Sequence, residues 1–184
     1  MQNFGGVDEL KRFLKGFVRS PGFKRVGRIG IVRDAERRLD KGAPAEKKPP
    51  AASSAFQSVQ SSLRAAGLPA PNRPGEETGT APAVSVFVLP GGADDGMLET
   101  LLCRTFAGTE MERCVNAFLQ CAEESGSPIH RRDKSRAHAW LATRQDPHVS
   151  VGVAAQKDYW DFDHEAFDGV RRFLRALAQE RPAT

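Results

Sequence analysis

The stretch Arg25-Val26-Gly27-Arg28-Ile29-Gly30-Ile31-Val32-Arg33-Asp34-Ala35-Glu36 decides the fold. Val26, Ile29, Ile31 and Val32 make a short apolar run. Its length and β-branched content predict a buried strand rather than a helix. The run breaks into Asp34-Ala35-Glu36. In an open parallel α/β sheet, ligands sit beyond the carboxyl ends of the strands. Two carboxylates one residue apart at such an end can hold a hard cation through oxygen. The plainer alternative is that Asp34 caps a turn and Glu36 is solvated.

Working outward, Asp40–Ala52 is rich in Lys, Pro, Ala and Gly and reads as a mobile loop. Ser53 or Ser54 can then cap a helix whose buried face is Phe56, Val59, Leu63 and Ala66, with Gly67 ending it. Pro69–Pro82 is a second loop. Val84–Leu89 is the second strand, and it runs into Pro90-Gly91-Gly92-Ala93-Asp94-Asp95-Gly96. A strand joined to the previous one through a helix should pair with it in parallel, by a right-handed crossover. Asp94 and Asp95 then emerge at the same sheet edge as Asp34 and Glu36. Asp-Asp-Gly is equally an ordinary turn sequence.

Helical patterns fill the rest. Val7, Leu10, Phe13, Leu14, Phe17 and Val18 share a face, with Asp8 and Glu9 in the first turn and Ser20-Pro21-Gly22 closing the helix. Ahead of it, Gln2–Gly6 reads as a strand tail and a tight turn. A helix from about Met97 presents Leu98, Leu101, Leu102 and Phe106, and carries Glu99 in its first turn. Thr109 and Glu112 fit a capping box for a helix with face Met111, Cys114, Val115, Phe118 and Ala122, its thiols filling core. Ile129–Arg136 is basic, with His130, Arg131, Arg132, Lys134 and Arg136 around Asp133. It leads into a helix bearing Ala137, Trp140 and Leu141, closed by Asp146-Pro147. Val149–Ala155 has no clear pattern. Asp163 is placed to cap a last helix with face Ala166, Val170, Phe173, Leu174 and Leu177, stapled by Phe162 and Phe167.

The totals set bounds. At 184 residues, one domain with a sizeable core is expected. A net charge of +4 permits nucleic acid or phosphate partners without demanding them. Three cysteines, Cys103, Cys114 and Cys121, match no metal-ligand spacing, and free thiols in a reducing cytoplasm are the simplest account. No apolar run is long enough to span a bilayer, and no membrane partner is expected.

Three segments together resemble a small bacterial family of Toprim-related proteins. They are Ile29–Glu36, Val86-Phe87-Val88-Leu89-Pro90 and Gly96-Met97-Leu98-Glu99. Lys134-Ser135-Arg136-Ala137-His138-Ala139-Trp140-Leu141-Ala142 is similar to that family's Lys-x-x-Ala-x-x-Trp-Leu-Ala stretch. The resemblance runs from Gln2 to about Phe173. It implies a single Toprim-like α/β domain, with a mostly parallel central sheet flanked by helices and akin to the Toprim domain of OLD-type nucleases. Toprim domains commonly bind magnesium through a glutamate after the first strand and an Asp-x-Asp after a later one. Asp34 and Glu36 match the second motif, with Glu in place of the last Asp. Relatives carry the strand with the Glu-Gly motif ahead of the position of Gln2, so the chain is expected to be N-terminally incomplete.

Two functions follow from the residues and the resemblance. In the first, Asp34 and Glu36 hold magnesium (or manganese), aided by Asp94 and Asp95. Glu99 and Lys134 then take part in phosphodiester cleavage of nucleic acid, Lys134 neutralising a phosphate oxygen. In the second, a non-catalytic module binds nucleic acid, a protein partner or a second copy of itself. A truncated domain with no independent role is the third option.

Overall fold

A computed structural model describes residues 7–35, 50–92 and 94–179. Glu36, residues 2–6 and most of the expected loop 40–52 lie outside the described residues, as do the side chains of Val7 and Asp8. The chain divides into two compact units, Met1–Met97 with Gly169–Thr184, and Leu98–Asp168.

The first unit is built on the organising strand. β1 (Arg28–Asp34) pairs in parallel with β3 (Ala83–Leu89), from Arg28 opposite Ala83 to Asp34 opposite Leu89. The parallel pairing is the one expected from the intervening helix. β1 starts two residues later than the apolar run, and it continues through Arg33 and Asp34 because β3 supplies partners as far as Leu89. The sheet is small and mixed, in the order β1-β3-β2. The two-residue β2 (Glu77–Thr78) pairs antiparallel with β3 inside the stretch expected to be loop. That stretch is drawn onto the sheet where the Gly75 amide donates to the Val86 carbonyl at 2.7 Å.

Helices pack on both faces of the strand pair, and Val32 and Asp34 near the carboxyl end of β1 stay exposed. Strand side chains alternate between faces. Ile31, Val84, Val86 and Val88 join Leu10 and Leu14 of α1 (Val7–Phe17) and Phe56, Val59 and Leu63 of α2 (Ala51–Ala65) in one buried cluster. On the opposite face lies α7 (Asp168–Ala178). Its Phe173 ring meets Phe87 at 5.4 Å between centroids. Its Leu177 covers Gly30 so closely that a Cβ there would overlap the leucine. Arg28 fastens the far end of α7, donating to the carbonyls of Ala176, at 3.0 Å, and Gln179 while pairing with Glu77 at 3.1 Å.

Helix α2 begins at Ala51, ahead of the expected caps Ser53 and Ser54. The reason is a cap from elsewhere in the chain. Asp95 Oδ1 accepts from the Ala51 and Ala52 amides at 2.7 and 3.3 Å, which satisfies donors that a helix start leaves open.

The second unit contains α3 (Leu98–Arg104), α4 (Glu110–Glu124), α5 (Arg132–Leu141) and α6 (Val151–Gln156). Half of the expected capping box of α4 forms, and the returning carboxylate reaches one residue further back than the N-cap amide. Thr109 Oγ1 accepts from the Glu112 amide at 3.2 Å, while the Glu112 carboxylate reaches back to the Gly108 amide at 2.7 Å. The buried face of α4 is Val115 and Leu119, rotated from the expected stripe. Phe118 is 62% exposed, and Cys114 and Cys121 are exposed, so only Cys103 fills core. α5 stops at Leu141, before Asp146-Pro147, and α6 occupies the unpatterned stretch with Ser150 as its cap. Phe162 and Phe167 do meet, at 5.1 Å, and the cap of the helical turn ahead of α7 falls one residue beyond Asp163. The cap is His164, whose Nδ1 accepts from the Ala166 amide at 3.1 Å. Around α5, Trp140 stacks on Trp160 at 4.3 Å and on Phe106 at 5.6 Å.

Candidate functional site

The parallel register sets the geometry of the first unit's candidate site. β1 and β3 run the same way and end level, with Asp34 opposite Leu89 and the Ala35 amide donating to the Leu89 carbonyl at 2.9 Å. The carboxyl ends of both strands therefore lie side by side, where open parallel sheets place their ligands. Asp34 is the last residue of β1 and is exposed.

Beyond Leu89 the chain turns through Pro90, Gly91 and Gly92, the two glycines at φ +114° and +65°. A side chain rarely adopts such angles, so glycine is what the turn requires. Asp94 and Asp95 follow, both exposed. Their roles differ. Asp95 gives one oxygen to the two leading amides of α2 and so ties the turn to that helix. The turn reading of Asp-Asp-Gly thus describes Asp95. No sequence signal near Asp95 announced the cap. The signal lay 44 residues away, in a helix that opens Pro50-Ala51-Ala52 without a capping side chain of its own.

The other two candidates, Glu99 and Lys134, belong to the second unit. They lie 35 residues apart in the chain, and the packing of α3 on α5 brings them to 3.9 Å. Glu99 is the more enclosed of the two, its side chain 14% exposed against 46% for Lys134. Beside them Thr100 donates to Asp133 at 2.7 Å, and the Cys103 thiol donates to the Asp133 carbonyl at 3.4 Å. Arg136 pairs with Glu112, lies 3.6 Å from Asp133, and places its guanidinium over the Phe106 ring. Burial pushes the Cys103 thiol up to about 12, with Arg136 opposing the shift and Asp133, Glu99 and Glu112 adding to it. This thiol is not a nucleophile at neutral pH. The sequence marked Arg136 only as one of a basic run. Its place as the cation among these acids depends on α4, α3 and α5 coming together.

A family model described as a protein of unknown function, DUF3226, matches residues 2–179. The chain belongs to the DUF3226 family. No curated protein and no solved structure matches the DUF3226 chain.

The donor chemistry of this DUF3226 chain can be tested against a magnesium ion. Among the described residues, no group of three or more His, Cys, Asp or Glu side chains is arranged to hold a metal. Magnesium keeps several waters and is commonly bound through one or two carboxylates. Exposed Asp34 fits that demand, as does exposed Asp94. Asp95 fits it less well, because one of its oxygens already serves two amides.

Proposed function

We propose that this chain is a Toprim-like module that holds a magnesium or manganese ion at the carboxyl end of β1 and acts on the phosphodiester backbone of nucleic acid. One observation carries the reading: the parallel, level pairing of β1 with β3, which puts exposed Asp34 at the strand ends where the Asp94-bearing turn begins. Asp34 is the principal ligand in this reading and Asp94 the second, with Glu36 as the motif's other acid. When bound, the ion supplies charge stabilisation at a phosphate oxygen and a more acidic water. Asp34 orients the ion, and Asp95 keeps the turn in place without binding the metal.

A second reading is favoured by the engagement of two candidate acids, Asp95 with helix amides and Glu99 with Lys134. In it the module binds nucleic acid and does not cleave. Half-exposed Lys134 and exposed Arg131 lie at the start of α5 and supply phosphate contacts.

Manganese binding, followed by calorimetry and by electron paramagnetic resonance, tests the first reading. The intact chain is expected to bind, and Asp34→Asn to weaken binding by about tenfold or more. No binding by the intact chain overturns the metal site. Incubation of single-stranded DNA and RNA with magnesium then separates the two readings. Cleavage lost in Asp34→Asn supports the enzyme. Salt-sensitive binding without turnover supports the second reading.

A further inference from the structure

The turn that carries Asp94 also walls a small hollow. Its lining is Pro74, Gly75, Phe87, Val88, Gly91 and Gly92, and its volume is about 280 Å³. None of these side chains is charged, so the hollow suits a neutral ligand. The volume lies just below the usual range for ligand pockets and is enough for a ring system.

Phe87 is the aromatic surface of the hollow. That ring is fixed from behind by Phe173, and it lies so near α7 that a Cβ at Gly169 would come within 3.3 Å of its tip. A Cβ at Gly91 would likewise stand 3.4 Å from Phe87 Cζ, at the tip of the ring. Glycine at 91 brings bare backbone to the rim. The opposite wall is tied to the sheet by the Gly75 amide, which donates to Val86 at 2.7 Å.

The neighbouring strand extends this surface. Val32 is paired with Phe87 in the parallel register and is 37% exposed. By the alternation of the pleat, Val32 and Asp34 share a face of β1. One face of the strand pair thus carries, in order toward the carboxyl end, an apolar platform of Phe87 and Val32 and then the Asp34 carboxylate.

We propose that the glycine-walled hollow over Phe87 receives one unpaired base of a single-stranded nucleic acid, holding it beside the acidic end of the strands. This rests on the nucleic-acid reading above. Aromatic rings hold bases with little regard to sequence, and an edge-to-face contact with Phe87 is one of the favoured arrangements. Backbone groups of the glycine rim serve the polar edge of the base.

The experiment is a titration with adenosine, which has a base and no phosphate, followed by backbone amide resonances of the full chain. Saturable shifts are expected at Gly75, Gly91 and Gly92. Ribose 5-phosphate, which lacks a base, is expected to leave them in place. Phe87→Leu and Pro74→Trp, the second filling the hollow from an exposed loop position, should each weaken adenosine binding by about tenfold. Both variants are first checked for a native amide spectrum.

Three outcomes overturn the proposal: no shift at these glycines with millimolar adenosine, shifts confined to other residues, or the same shifts produced only by N-acetyl-phenylalanine amide. Adenosine cannot report on the metal site, so such a failure leaves the manganese result standing. Failure of manganese binding, with adenosine bound, overturns the metal site instead, and failure of oligonucleotide binding overturns both.

Discussion

Leu177 of the last helix lies directly over Gly30 of β1, and the space that an alanine methyl would need at position 30 is already filled by the leucine. Gly30 is not among the glycines at positive φ, so its smallness and not its backbone freedom is what the fold uses.

Gly30→Ala therefore sets two effects against each other. Removing a glycine lowers the entropy of the unfolded chain, a gain of ~0.4–1 kcal/mol. Overpacking against Leu177 costs ~1–3 kcal/mol. The second is the larger, so a net loss of ~1 kcal/mol is expected in denaturant unfolding. In a Leu177→Ala background the clash is gone and the same substitution should become stabilising. Equal effects of Gly30→Ala in both backgrounds would show that Leu177 does not sit on Gly30.

Asp95 acts on stability across a long stretch of chain. Asp95→Ala leaves the Ala51 and Ala52 amides without their acceptor and should cost ~1 kcal/mol, with Asp95→Asn closer to neutral because asparagine caps nearly as well. Hydrogen exchange at the first turn of α2 localises the effect. Protection unchanged there in Asp95→Ala would rule out the cap.

The strands and Asp95 show what could be read from the sequence and what could not. β1 and β3 were visible as apolar, β-branched runs, and the helix between them dictated parallel pairing. The Thr109 cap on the Glu112 amide was visible because its partners are three residues apart. Asp95 was not legible as a cap, because its acceptor role depends on α2 folding back to a turn 44 residues on. Nor was the rotation of α4. Cys114, Val115 and Phe118 all suit a helical period, and only contact with α5 selects Val115 and Leu119. The Glu99–Lys134 pair and the hollow over Phe87 likewise exist only once distant segments meet. Local spacing encodes elements; the chemistry here is assembled from non-local contacts.

The three thiols should divide by reactivity. Cys114 and Cys121 are exposed, while Cys103 is buried and its thiol is pushed up to about 12, chiefly by burial. The thiolate is the reactive form. In native protein at pH 8, two cysteines are expected to react promptly with a thiol reagent and the third only after denaturant is added. Because folding raises the Cys103 value above its ordinary one, the folded state keeps this proton while the unfolded chain releases it. The contribution to stability is complete below the ordinary thiol value and changes as pH rises through the interval up to about 12, where the unfolded state gains from ionising. Cys103→Ser should remove that part of the alkaline decline. Prompt labelling of all three thiols would contradict the burial.

Intrinsic fluorescence should report on the second unit alone. The chain has two tryptophans and one tyrosine, and Trp140, Trp160 and Tyr159 all lie between Leu98 and Asp168. The indoles stack at 4.3 Å with an interplanar angle of 20°, and Arg144 covers Trp140 at 4.1 Å. Two transitions so close couple, so the far-ultraviolet circular dichroism should contain a paired positive and negative band that Trp160→Phe abolishes while the helical signal survives. Trp160 is 3% exposed, and truncating a buried indole to alanine leaves a large cavity. Trp160→Ala should therefore cost ~3–5 kcal/mol in the emission-detected transition. The two measurements bear on different things, the band on ring geometry and the emission midpoint on packing. Survival of the paired band in Trp160→Phe would mean that it does not arise from the Trp140–Trp160 stack, and a midpoint unmoved in Trp160→Ala would mean that the second indole does not hold the unit's core together.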